Sequence, residues 1–172
     1  MKTPKVIKAG TTKFLDVFGP TLQLLTSPSE PDIEYCVMEG TIPPGVSVPL
    51  HSHPDNESFY VLAGVAQFLA QQEGGFNWLE LKVGDFVHIP GNVKHAWKNT
   101  ATENLVTLTT TTPALGRFFQ EVGRVVEPGE QQRAPTPEEI GHFVQISIQK
   151  YHYWLGTPEE NAAVGISLSM EG

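Results

Sequence analysis

A chain of 172 residues with a formal charge of −8 and no cluster of Lys or Arg lacks the basic patch that nucleic acids and anionic membrane surfaces demand. Its hydrophobic fraction of 40 % and charged fraction of 17 % are ordinary for a globular protein of a size that buries a core without cross-links. Cys36 is the only cysteine, which excludes an intrachain disulfide, and 16 Gly with 14 Pro imply many turns between short strands.

Met1 to Gly10 is basic but has no apolar segment of a signal peptide, and no later run approaches the roughly 18 apolar residues of a membrane-spanning helix. The expectation is a soluble, cytoplasmic protein with no membrane partner. From there to Thr112 the chain is cut into β-type runs with no sustained helical period. Strands are expected at Lys13 to Phe18, Thr21 to Leu25, Glu34 to Ile42, Ser47 to His53 and Ser58 to Ala63. Further strands follow at Ala66 to Gln72, Trp78 to Leu81, Asp85 to Ile89, His95 to Asn99 and Leu105 to Thr111. Turn residues separate them at Gly19-Pro20, Pro43-Pro44-Gly45, Gly64, Gly74-Gly75, Gly84 and Pro90-Gly91-Asn92. Even spacing of this kind predicts a mainly β sandwich or closed barrel, and Cys36 falls inside a strand as a buried thiol.

Past Pro113 the pattern changes. Leu115, Phe118, Phe119, Val122 and Val126 recur at helical spacing, Glu127 to Pro135 forms a polar linker, and Thr136-Pro137-Glu138-Glu139 is a helix start with an N-cap and capping-box Glu. Ile140, Phe143, Val144, Ile148, Tyr151 and Leu155 then predict one apolar helix face ending at Gly156. Thr157-Pro158-Glu159-Glu160 repeats the start signal. The expected organisation is a β-barrel over 1–112 with a helical C-terminal extension over 113–172 packed on it, too small to stand as an independent domain.

The chemistry concentrates in two of the strands. His51 and His53, at i and i+2 of an extended segment, project from one face; Glu57 follows after a bend at Pro54-Asp55, and His95 stands 42 residues beyond His53. Three imidazoles and a carboxylate suit one divalent transition ion per chain, Fe, Mn, Ni, Cu or Zn, with coordination positions left open. Phe59, Val61, Phe68, Phe86 and Trp97 are candidates for the wall of a substrate pocket, with plain barrel core as their alternative role. Trp97 shares the parity of His95. His88 has the opposite parity to Val87 and Ile89, and His142 and His152 fall in the tail.

These spacings resemble the two motifs of the cupin superfamily. Gly45, His51-Ser52-His53, Glu57 and Gly64 fit the first motif in full; Gly84, Pro90, His95 and Asn99 fit the second, with Asn92 where a glycine is expected. Asn is the non-glycine residue that best accepts a left-handed backbone, so the turn should persist. The resemblance covers Gly45 to Asn99 and implies a double-stranded β-helix, the cupin jelly roll. A weaker resemblance, at Gly116 to Gly123 and Thr136 to Glu139, is to the C-terminal extension of quercetin-dioxygenase-like cupins. It implies a dioxygenase acting on a small phenolic or enolisable molecule, with Glu57 as general base, dioxygen as co-substrate and a homodimeric assembly. Redox-neutral isomerase or lyase chemistry on the same ion, and a non-enzymatic binding or sensing barrel, are the alternatives.

Overall fold

The computed structural model describes residues 4–8, 11–127, 130 and 133–168; the expected linker over Glu127 to Pro135 lies partly outside them. Each expected strand is present: β1 Phe14–Asp16, β2 Thr21–Leu24, β3 Cys36–Ile42, β4 Ser47–Ser52, β5 Glu57–Ala63, β6 Val65–Gln72, β7 Gly75–Lys82, β8 Phe86–Ile89, β9 His95–Lys98 and β10 Leu105–Thr111. They form two antiparallel sheets, one of seven strands ordered β11-β1-β2-β3-β10-β5-β8 and one of five ordered β12-β4-β9-β6-β7, where β11 is Arg124–Val126 and β12 is Trp154–Leu155. Strands β3 and β10, β4 and β9, and β5 and β8 pair across long sequence separations, so the chain winds between the sheets. That is the jelly-roll arrangement expected from the two motifs.

Alternation along the strands puts Val61, Ala66, Phe68, Leu81, Ile89, Trp97 and Leu105 into the core between the sheets. The opposite parity of the five-stranded sheet, Leu50, Leu69 and Ala96, faces outward and is covered by Trp154, Val164 and Ile166. Cys36 is buried with Leu15, Leu22 and Met38 under Phe119.

Beyond Thr112 the chain forms helices α1 Pro113–Val122, α2 Pro137–Gln145 and α3 Pro158–Ala163. Thr112 caps α1, and Thr136 and Thr157 each close a full capping box with Glu139 and Glu160. The segment is not helical throughout: β11 pairs with β1 and β12 pairs with β4. Both strands are two or three residues long, too short to show a period in the sequence.

The expected single helix ending at Gly156 is also corrected. α2 stops at Gln145 and widens into a π-helical turn over Ile146–Lys150. The fully buried Ser147 hydroxyl donates to the Phe143 carbonyl at 2.7 Å, a back-bond that competes with the regular ladder. Tyr151 N–H accordingly reaches the Ile146 carbonyl at 3.2 Å. His152 then adopts a left-handed backbone, φ 58°. The expected stripe does not form one buried face: Ile140, Val144 and Ile148 are exposed, while Phe143 and Tyr151 turn to Phe118 of α1. Among the described residues no helix is long and apolar enough to cross a membrane.

Candidate metal centre

Strands β4, β5 and β9 deliver the site. In the β4–β9 ladder Val48 faces Trp97 and His51 faces His95, so Pro49 and Leu50 together oppose Ala96. This β-bulge reverses the side-chain parity between Val48, which packs on the barrel core, and His51. Leu50 turns outward, and His51 faces the same interior as His95.

A nitrogen from each of His51, His53 and His95 lies within 4.8 Å of the others, a grouping that one cation can bridge. The ring centroids are 4.3 Å apart for His51 and His95, 5.5 Å for His51 and His53, and 5.3 Å for His53 and His95. Each Nδ1 meets a backbone carbonyl: Pro49 for His51 at 2.7 Å, Asp55 for His53 at 2.9 Å and Val93 for His95 at 2.8 Å. A carbonyl can only accept, so Nδ1 carries the proton in all three rings. The lone pairs of the neutral imidazoles therefore sit on Nε2, and these tautomers fit a metal ion.

The Glu57 carboxylate stands beside them, its Oε2 at 3.2 Å from His53 Nε2 and 3.4 Å from His95 Nε2. Burial acts against the charge of Glu57, but the hydrogen bonds it accepts from His53 and His95 when their Nε2 atoms carry a proton outweigh it and hold the carboxyl well below the ordinary range. Burial likewise acts against protonated His53, yet the bond to Glu57 and the nearby Asp55 carry its affinity for a proton above the usual value. His51 goes the other way, to about 3, through burial and then the neighbouring His95 and His53. His53 and His95 are 4 % and 1 % exposed, whereas His51 is half-buried, so solvent reaches the centre on the His51 side.

The structure brings together the four residues singled out in the sequence as ligands. Of the five wall candidates, Phe59, Val61, Phe68 and Trp97 belong to the barrel interior. Trp97 packs 4.9 Å from Phe59 and 4.8 Å from Phe68, and Phe68 lies 6.5 Å from His95. Phe86 does not belong there. It is 63 % exposed, because on β8 the inward parity is Val87 and Ile89; Phe86 and His88 face out, His88 paired with the Ser58 hydroxyl at 2.9 Å. Two residues around the histidines carry no signal at sequence level: Tyr153, whose ring lies 5.3 Å from His53, and Asn161. Both come from the tail, where no motif points back to the site.

A two-sheet jelly roll with three convergent histidines defines a small β-barrel protein with a site that could hold a metal ion. Residues 38–111 match the family model described as cupin domain; the chain carries a cupin domain, and its fold is that of the cupin superfamily. No curated protein matches the chain by sequence. Among solved structures it is similar to the polyketide cyclase RemF from Streptomyces resistomycificus, at 15 % identity and TM-score 0.58 over 87 % of this chain and 96 % of that one. It is also similar to an RmlC-like cupin from Shewanella frigidimarina, at 18 % identity and TM-score 0.54 over 67 % and 96 %. With a variant of oxalate decarboxylase from Bacillus subtilis it shares 22 % identity and TM-score 0.50 over 58 % of its length, but spans only 27 % of that enzyme.

Proposed function

We propose that this cupin is a metal-dependent dioxygenase of small phenolic or enolisable molecules, holding one divalent transition ion per chain through His51, His53, His95 and Glu57. The observation that carries the reading is the shared tautomer: three Nδ1–H groups spent on backbone carbonyls leave three Nε2 lone pairs for one ion. A bound Fe, Mn, Ni, Cu or Zn ion would supply Lewis acidity and open coordination positions there.

The side chains of this chain supply the rest. Glu57 keeps its negative charge at neutral pH and lies beside two of the histidines, where it can accept the proton of a substrate hydroxyl. Phe59, Phe68 and Trp97 pack into one aromatic group next to His95 and keep water away from that side of the centre. The half-buried edge at His51 leaves a route for substrate.

Elemental analysis of the purified protein, followed by oxygen-electrode assays with flavonols and other enolisable compounds, tests the reading. The expected result is close to one transition ion per chain, oxygen uptake that matches substrate loss, and a turnover loss of roughly 10²- to 10⁴-fold in Glu57→Gln. Turnover without oxygen uptake would replace the dioxygenase by redox-neutral chemistry on the same ion. A protein that takes up no metal would end both.

A further inference from the structure

Two of the three histidines are held by residues about a hundred positions further along the chain. The bulge that aims His51 leaves Leu50 facing away from the barrel and buried, out of register with β9. Its N–H and C=O still require partners. Asn161 Oδ1 accepts from Leu50 N–H at 2.8 Å, and Gly156 N–H donates to the Leu50 carbonyl at 2.8 Å. Asn161 is 0 % exposed, and its Nδ2 spends both hydrogens on the carbonyls of Gly156 and Thr157 at 2.9 and 3.0 Å. A Cβ at Gly156 would stand 2.9 Å from the Leu50 carbonyl oxygen, so this approach needs glycine.

His53 is gripped from the same segment. Its Nδ1–H donates to the Asp55 carbonyl. The Asp55 carboxylate in turn accepts from the Tyr153 hydroxyl at 3.0 Å on one oxygen and from the Thr112 hydroxyl on the other. The π-helical turn and the left-handed His152 bring Tyr153 round to this position, where its N–H bonds the Ser147 carbonyl at 2.8 Å. Strand β12 follows at once and pairs Trp154 with Ser52 and Leu155 with His51.

We propose that residues 153–161 are a positioning element of the metal centre: Asn161 fixes the bulge that aims His51, and Tyr153, through Asp55, fixes the ring of His53. The inference rests on the metal-binding reading above and adds to it that the tail sets the ligand geometry. Neither residue belongs to the His51, His53 and His95 group that could hold the ion; each acts through a neighbour of a ligand. A satisfied bulge and a locked imidazole keep the two Nε2 lone pairs aimed when the ion leaves, and partners of this kind influence metal affinity strongly.

Co(II) titrations of the full-length, metal-stripped protein test it, with affinity read by chelator competition and ligand geometry by the visible ligand-field bands. Tyr153→Phe and Asn161→Ala are expected to weaken Co(II) binding by roughly 10- to 100-fold and to shift the bands. Thr136→Ala, which removes a helix cap elsewhere in the tail, should leave both unchanged. If Asn161→Ala does not fold, Tyr153→Phe decides. Wild-type affinity and wild-type bands in Tyr153→Phe overturn the positioning role while leaving the metal centre standing. Absence of Co(II) binding in the wild type overturns the metal-centre reading and this inference with it.

Discussion

At the scale of single residues the proposed metal would compete with protons for the same nitrogens. In the metal-free protein Glu57 raises the proton affinity of His53 and is itself held in its charged form. The pairing has opposite consequences for the two states. Because the folded His53 titrates above its ordinary 6.5, its contribution to metal-free stability is full below 6.5 and fades as pH rises through the raised value. Because Glu57 titrates below its ordinary 4.5, its contribution is present above 4.5 and fades as pH falls. The metal-free protein should therefore draw most from this pair between about pH 4.5 and 6.5. Metal binding needs neutral His53 and should weaken as pH falls through the raised range, with protons released on binding. Calorimetry in buffers of different ionisation enthalpy will measure that release; a metal-retention profile flat to pH 5 would count against histidine ligation. His53→Ala should cost more than roughly 100-fold in metal affinity, and Glu57→Ala a comparable amount, while the β-type circular dichroism persists. Full metal content in either variant would dismiss the ligand assignment.

At the scale of elements, the turn between β8 and β9 decides whether His95 arrives on time. Asn92 takes a left-handed backbone, φ 66°, and its N–H bonds the His53 carbonyl at 2.6 Å, tying one ligand's strand to the approach of another. Gly91 stands so close that a Cβ would lie 2.2 Å from the Pro54 carbonyl oxygen. Gly91→Ala should destabilise the fold by more than about 1 kcal/mol, and Asn92→Val by about 1–2 kcal/mol, whereas Asn92→Gly should be nearly neutral; urea unfolding of the three variants checks the ranking. The turn was legible in the sequence because Asn and Gly carry their backbone preferences with them. So were the ten barrel strands, whose alternation is set by burial on one face, and the helix starts, whose threonine and glutamate are local signals. What was not legible depends on partners far along the chain. The Pro49-Leu50 bulge exists because Asn161 and Gly156 satisfy Leu50, the outward turn of Phe86 follows from the phase of β8, and β11 and β12 are strands only because β1 and β4 lend them edges.

At the scale of the molecule the centre lies where the two sheets meet. His51 and His95 belong to β4 and β9 of the five-stranded sheet, His53 follows β4, and Glu57 opens β5 of the seven-stranded sheet. An ion held by all four joins both sheets across the barrel and binds only the folded chain, since the unfolded chain keeps these residues far apart. Free metal at 100 times its dissociation constant should then add about 2.7 kcal/mol of stability. For a domain of this size that corresponds to a rise in Tm of roughly 5–10 °C. Scanning calorimetry with and without chelator measures it, and the rise should grow with the logarithm of free metal concentration. His53→Ala should abolish the dependence, since a nonspecific surface ion would stabilise that variant equally. A Tm indifferent to metal in the wild type would mean that the four side chains do not act together on one ion.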